Sequence, residues 1–193
     1  MKPLFDEANA SRLLFSCSWE QFDRLIQTLV PAILADGRPD LIVGIQRGGL
    51  IPSVLLAHQF DLPLLLALPV RCTASDDAYA SKRKPVIEGS ERLATLTRRN
   101  VLVVDDVAGS GATMREVVRL LQEYHPARIR TLVTVLNVAH WQQANNEDPP
   151  ATLFSYIGQS LPGWVVFPWE NPSAQVPAGV RHCPFPQWER KGG

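Results

Sequence analysis

The chain has 193 residues, 46% hydrophobic and 20% charged, with Lys plus Arg equal to Asp plus Glu. That fits one medium globular domain and excludes a disordered chain. The zero net charge argues against a broad nucleic-acid surface, and no apolar run approaches a membrane span. The N-terminal MKPLFDEANA lacks a signal-peptide core. Cys17, Cys72 and Cys183 are scattered and odd in number, so reduced thiols in a cytoplasmic protein are expected, without zinc.

Residues 1–17 carry little pattern. Ser18-Trp19-Glu20-Gln21 reads as a capping box. A helix should follow, with Phe22, Leu25, Ile26, Leu29, Val30 and Ile33 on its apolar face. Pro31 should kink or interrupt it. Residues 41–45 read as a buried strand running into Gln46-Arg47-Gly48-Gly49, then a helix over 50–60. An arginine beside a glycine turn suits a phosphate-type anion, although a helix-start turn with a solvated Arg reads the same way. Residues 64–70 form the next strand. Residues 71–100 are polar and charged, with poor apolar periodicity, as in a functional or disordered loop.

Residues 101–113, VLVVDDVAGSGAT, organise the chain. Val101, Leu102, Val103 and Val104 suit a buried strand. Asp105 and Asp106 follow, then the turn Ala108-Gly109-Ser110-Gly111-Ala112-Thr113. Met114, Val117, Val118, Leu120 and Leu121 recur at helical spacing after it. Strand, acidic pair, glycine turn and helix start make an anion site, with Ser110 and Thr113 as hydroxyl donors. The acids repel a phosphate and suit a ribose diol or a hydrated Mg²⁺. Read alone, the turn is also compatible with an ordinary crossover whose Asp residues cap the helix.

Residues 130–138 and 153–157 read as further strands, separated by a surface loop over 141–150. Residues 163–170, GWVVFPWE, place Trp164 and Trp169 around a proline, as core aromatics or as a flat platform for a heterocycle. Residues 171–193 are Pro-rich, without a clear element. Alternating strands and helices imply a mostly parallel sheet with both glycine turns at strand carboxyl ends, where open α/β sheets bind ligands.

The 101–113 string resembles the phosphoribosyl pyrophosphate (PRPP) signature of type I phosphoribosyltransferases. The SWEQF start, the QRGGLIPS loop and the WVVFPWE segment resemble the purine branch, the xanthine/guanine and hypoxanthine-type enzymes. The likeness spans roughly residues 12–170. It implies an α/β type I phosphoribosyltransferase fold, with a mostly parallel central sheet, helices on both faces and a small C-terminal hood. The phosphoribosyltransferase domain would cover residues 1–170, with a flexible loop over about 71–100 and the hood over about 151–170; residues 171–193 would be a tail.

The resemblance assigns the ribose hydroxyls to Asp105 and Asp106, and the 5′-phosphate to Ala108, Gly109, Ser110, Gly111, Ala112 and Thr113. It assigns the pyrophosphate to Arg47, Gly48 and Gly49. Asp105, Asp106 and Arg47 are thereby the candidate catalytic residues. Several relatives carry a non-proline cis peptide in the pyrophosphate loop; here it would be Gln46–Arg47. Trp164 would stack on the base, the Val165 backbone would read its edge, and Glu170 would help bind Mg²⁺ on pyrophosphate. Tyr79, Ser81, Lys82 and Arg83 would belong to a mobile loop closing over the site.

Two positions depart from the purine branch. Gly109 stands where those enzymes usually carry an Asp that contacts N7 of the base as a candidate general base. Asn137 stands where they usually carry a Lys that reads the 6-oxo group. The expected reaction is Mg²⁺-dependent transfer of a 5-phosphoribosyl group from PRPP to a purine-like base, a 6-oxopurine first, releasing pyrophosphate. Two alternatives stand beside it: a non-catalytic PRPP or nucleotide-binding regulator, and a transferase for a non-purine acceptor. The expected partners are PRPP and a nucleobase-like molecule, not nucleic acid or a membrane, and the expected assembly is a homodimer.

Overall fold

A computed structural model describes residues 14–73, 82–87, 90–144, 147–170 and 181–182. Its centre is a six-stranded sheet of β2 (Leu41–Gln46), β3 (Leu65–Thr73), β4 (Lys82–Ile87), β5 (Asn100–Ala108), β6 (Arg128–Asn137) and β7 (Tyr156–Leu161), in the order β4-β3-β2-β5-β6-β7. Every pairing is parallel except β3 with β4. Helices α1 (Trp19–Ala35), α2 (Leu50–Gln59), α3 (Ala112–Gln122) and α4 (Val138–Gln143) connect the strands. Near the carboxyl ends, β1 (Leu14–Ser16), β8 (Trp164–Val166) and β9 (Arg181–His182) form a separate parallel sheet in the order β8-β1-β9.

The hydrophobic patterning explains two packed layers. α1 starts at the capping box: Gln21 N donates to Ser18 Oγ at 3.2 Å and Ser18 N to Gln21 Oε1 at 2.8 Å. It buries Phe22, Leu25, Ile26, Leu29 and Ile33 against one sheet face, with α2 beside it. The other face packs under Met114, Val117 and Leu121 of α3. Along β5, Leu102 and Val104 join the first layer, Val101 and Val103 the second, as strand alternation requires. The phase changes at the acidic pair: Val107 packs with the first layer and Ala108 with the second. β6 changes phase at the same level, between Val133 and Val135.

Four expectations are corrected. α1 runs through Pro31 to Ala35 without an interruption; Pro31 faces solvent, and Arg130 of β6 donates to the carbonyls of Ile33 (3.0 Å) and Gly37 (2.7 Å), which holds the helix end on the sheet. β4 and a 3₁₀ helix (Ser90–Leu96) occupy part of the polar segment, β4 pairing with the edge of β3. The strand expected at 153–157 starts at Tyr156, because Leu153 and Phe154 pack beneath α3 and α4 instead. Arg181 and His182 form a strand within the tail, in register with Phe15 and Ser16.

Candidate functional site

β2 and β5 are neighbours, paired from Leu41–Val101 to Gly44–Val104, so their two glycine turns emerge side by side. Gly49 is wedged between them: a Cβ there would lie 2.6 Å from the Ile45 carbonyl oxygen and 2.7 Å from that of Val104. Ser53 Oγ donates to the Gly49 carbonyl at 2.6 Å, and the amides of Leu50 and Ile51 bond back to the carbonyls of Arg47 and Gly48. The Gln46–Arg47 peptide is cis. Arg47 itself is exposed at the mouth of the turn.

Asp105 and Asp106 end the buried part of β5. Asp105 Oδ1 accepts from Asp106 N at 3.0 Å, and Asp106 Oδ1 from Val107 N at 2.8 Å. The buried Thr134 hydroxyl donates to the Asp106 carbonyl. Asp106 Oδ2 points at Gly48: a Cβ on that glycine would overlap the carboxylate. Burial pushes the Asp106 carboxyl above its ordinary value, against the opposing effect of its Val107 bond.

The turn after β5 needs its second glycine for conformation. Gly111, the N-cap of α3, has φ +75° and packs so closely that a Cβ would meet Leu153 at 2.7 Å and Trp141 at 2.8 Å. Ser110 Oγ accepts from Ala112 N at 3.4 Å. Arg115 was not among the expected site residues, yet its Nη1 donates to the Ser110 carbonyl at 2.8 Å while its guanidinium lies 5.2 Å from the Trp141 ring centroid. Its signal in the sequence is a basic residue in the first turn of the helix that follows the glycine turn.

The aromatic segment divides. Trp169 belongs to the core layer, stacked on Phe167 at 4.5 Å and edge-on to Phe22 at 4.8 Å. Trp164 is half-buried, opening β8 opposite Leu14. The Val165 side chain is in the core and its backbone is in register with Phe15. Glu170 Oε2 accepts from Phe167 N at 2.8 Å, closing the turn. Glu170 is exposed, yet partial desolvation of its carboxyl raises its pKa first; the Phe167 bond opposes that, and the charge of Asp106 adds to it, so the two carboxylates feel each other. Among the described residues no three His, Cys, Asp or Glu side chains group to hold a metal by themselves. Mutually repelling acids of this kind suit an ion that brings water and substrate oxygens to complete its shell.

Asn137 is buried at the end of β6, where its Oδ1 caps α4 by accepting from His140 N at 3.0 Å. His140, also absent from the expected set, packs on Gly109. Tyr79 and Ser81 lie outside the described residues, and Lys82 and Arg83 open β4.

Residues 18–173 match the phosphoribosyl transferase domain model. The chain belongs to the phosphoribosyltransferase family. This family of PRPP-dependent enzymes includes a xanthine-guanine phosphoribosyltransferase of Nitratidesulfovibrio vulgaris, to which the chain is 26% identical over 165 residues, covering 85% of this phosphoribosyltransferase and 89% of that one. A crystal structure of a purine phosphoribosyltransferase from Pyrococcus horikoshii superposes with a TM-score of 0.63 at 28% identity, covering 82% of this chain and 94% of that one. The xanthine-guanine-hypoxanthine phosphoribosyltransferase of Helicobacter pylori shares the fold, with a TM-score of 0.62 at 20% identity over 83% of this chain and 96% of that one. The type I phosphoribosyltransferase fold is therefore the architecture of this chain. No helix among the described residues is long and apolar enough to cross a membrane.

Proposed function

We propose that this phosphoribosyltransferase moves the 5-phosphoribosyl group of PRPP to a ring nitrogen of a purine-like base, a 6-oxopurine first, releasing pyrophosphate with Mg²⁺ as cofactor. The observation that carries this reading is the convergence of two anion-type turns on one acidic pair, with Asp106 Oδ2 against Gly48. Asp105 and Asp106 hold the ribose hydroxyls. Residues 108–113 hold the 5′-phosphate through backbone N–H groups and the hydroxyls of Ser110 and Thr113. Arg47, Gly48 and Gly49 hold the pyrophosphate. Trp164 stacks on the base, with Val165 backbone groups at its edge, and Glu170 assists the metal. When bound, Mg²⁺ neutralises charge on the pyrophosphate oxygens. Lys82 and Arg83, with Tyr79 and Ser81, close over the substrate. Catalysis rests on positioning and on stabilising the leaving group's charge. A homodimer in the cytoplasm, with residues 1–170 as the working domain, completes the reading.

One observation favours a second reading. Asn137, buried at the end of β6, is a neutral amide where the purine branch usually carries a lysine, and a neutral donor holds an oxo group less strongly than an ammonium does. A non-purine acceptor, or PRPP binding without transfer, suits that better. Pyrophosphate release from PRPP and Mg²⁺ across guanine, xanthine, hypoxanthine, adenine, uracil and orotate decides between them. Release with an oxopurine supports the proposal. Release with uracil or orotate alone, or PRPP binding without release, supports the second reading.

A further inference from the structure

His140 is a titratable base at the right edge of the sheet. His58 and His125 precede β3 and β6, at the opposite end, whereas His140 follows the carboxyl end of β6 beside that of β5. Its backbone and its ring are both placed by contacts at this end of the sheet. Its backbone N donates to Asn137 Oδ1 at 3.0 Å, and its imidazole lies on the first glycine of the turn after β5. A Cβ on Gly109 would overlap Nδ1 and stand 3.0 and 3.1 Å from the adjacent ring carbons. Any side chain at 109 and the imidazole thus compete for one space, and glycine gives it to the histidine. The ring is half-buried, so it is neither sealed in the core nor out in solvent.

Transfer to a ring N–H leaves a proton to be taken up. In the transferase reading Asp105 and Asp106 are taken up by the ribose hydroxyls, so the proton needs a further group. A neutral imidazole is the side chain suited to take a proton near neutral pH. Resting on the transferase reading above, we propose that His140 is the general base for the acceptor. As the ring nitrogen bonds to C1′ of the ribose, the C1′–O bond to pyrophosphate breaks and that oxygen keeps the electron pair. The N–H proton passes to the His140 imidazole, leaving an imidazolium and a neutral glycosylated base. The acceptor class is a heterocycle with a ring N–H that an imidazole can reach.

The test compares the full-length protein with H140Q, which cannot take a proton, and H140E, which can. The acceptor is whichever panel base the unsubstituted protein turns over. H140Q should lower kcat on the order of 10²-fold, with PRPP affinity by calorimetry unchanged, and H140E should regain part of that loss. The loss should shrink for acceptors acidic enough to be ionised at the assay pH, an effect that a purely structural histidine would not produce. Intact kcat in H140Q overturns the assignment, as does weaker PRPP binding with intact kcat. If PRPP binding is weakened in H140Q, H140A with added imidazole at raised PRPP decides: kcat that rises with imidazole concentration supports the base role, and kcat that does not rise overturns it. Unsubstituted protein that turns over no base removes the transferase reading and this assignment together, a failure visible before any substitution is made.

Discussion

Asp106 and Gly48 face each other between the ends of β5 and β2, so close that a Cβ on Gly48 would overlap the Asp106 carboxylate. The carboxylate cannot simply swing away, because its other oxygen accepts from Val107 N. The glycine turn and the acidic pair are one unit, although 58 positions separate Gly48 from Asp106 in the sequence.

Gly48→Ala should therefore act through Asp106. Overpacking of this kind costs about 1–3 kcal/mol. In an Asp106→Ala background that cost should fall towards zero, a coupling that a double-mutant cycle by denaturant unfolding reads directly. Additive losses would mean that the two residues do not share the space.

Asp106→Asn should raise stability at neutral pH while removing PRPP binding. Because burial raises the Asp106 pKa, the native state holds its proton more tightly than the unfolded chain does. Stability then falls as pH rises from the ordinary value of 3.8 through the raised value, and stays lost above it. The amide does not ionise, so the Tm advantage of the variant should grow across that window and vanish below it. Parallel Tm profiles against pH would contradict this.

Local signals carried much of the fold. The apolar run at residues 101–104, the acidic pair and the glycine turn are contiguous, and Ser18 caps α1 with the Gln21 amide group three residues on. What was not legible depends on distant partners. The KRKPVI of β4 has no apolar alternation and contains Pro85, and it becomes a strand because it lies on the β3 edge. β9 has two residues and exists through its pairing with β1. Leu153 and Phe154 look like strand residues but fill space beside Gly111 and Trp141. The His140–Gly109 contact leaves no trace in either local pattern.

Gly111→Ala should destabilise the turn. The residue sits at φ +75° and its Cβ would press on Leu153 and Trp141. Forcing alanine into the left-handed region costs about 1 kcal/mol or more, and the two contacts add to it. A chain of this size should lose roughly 2–4 °C of Tm per kcal/mol. An unchanged Tm would show that the turn relaxes without cost.

Arg130→Ala should be among the most damaging core substitutions. The side chain is buried and donates to the carbonyls of Ile33 and Gly37 and to the Tyr156 hydroxyl, which in turn donates to Asp36 at 2.7 Å. Bonds from a charged donor contribute about 1.5–3 kcal/mol each, so a loss of about 3 kcal/mol or more is expected in urea unfolding. Because α1 ends there, hydrogen exchange should quicken first around residues 33–37. A loss below about 1 kcal/mol would place the anchoring of α1 elsewhere.

Binding of PRPP with Mg²⁺ should release protons. Asp106 and Glu170 both lie above their ordinary values through desolvation, and Glu170 also through the charge of Asp106. A divalent cation beside them favours the ionised forms, so each acid gives up whatever proton it still holds at mildly acidic pH. Calorimetry in two buffers of different ionisation enthalpy measures the count. Release should shrink in Glu170→Gln, where one titrating group is gone, and shrink as the pH rises and the free protein holds fewer of these protons. Proton release that is the same in Glu170→Gln would place the metal away from this carboxylate.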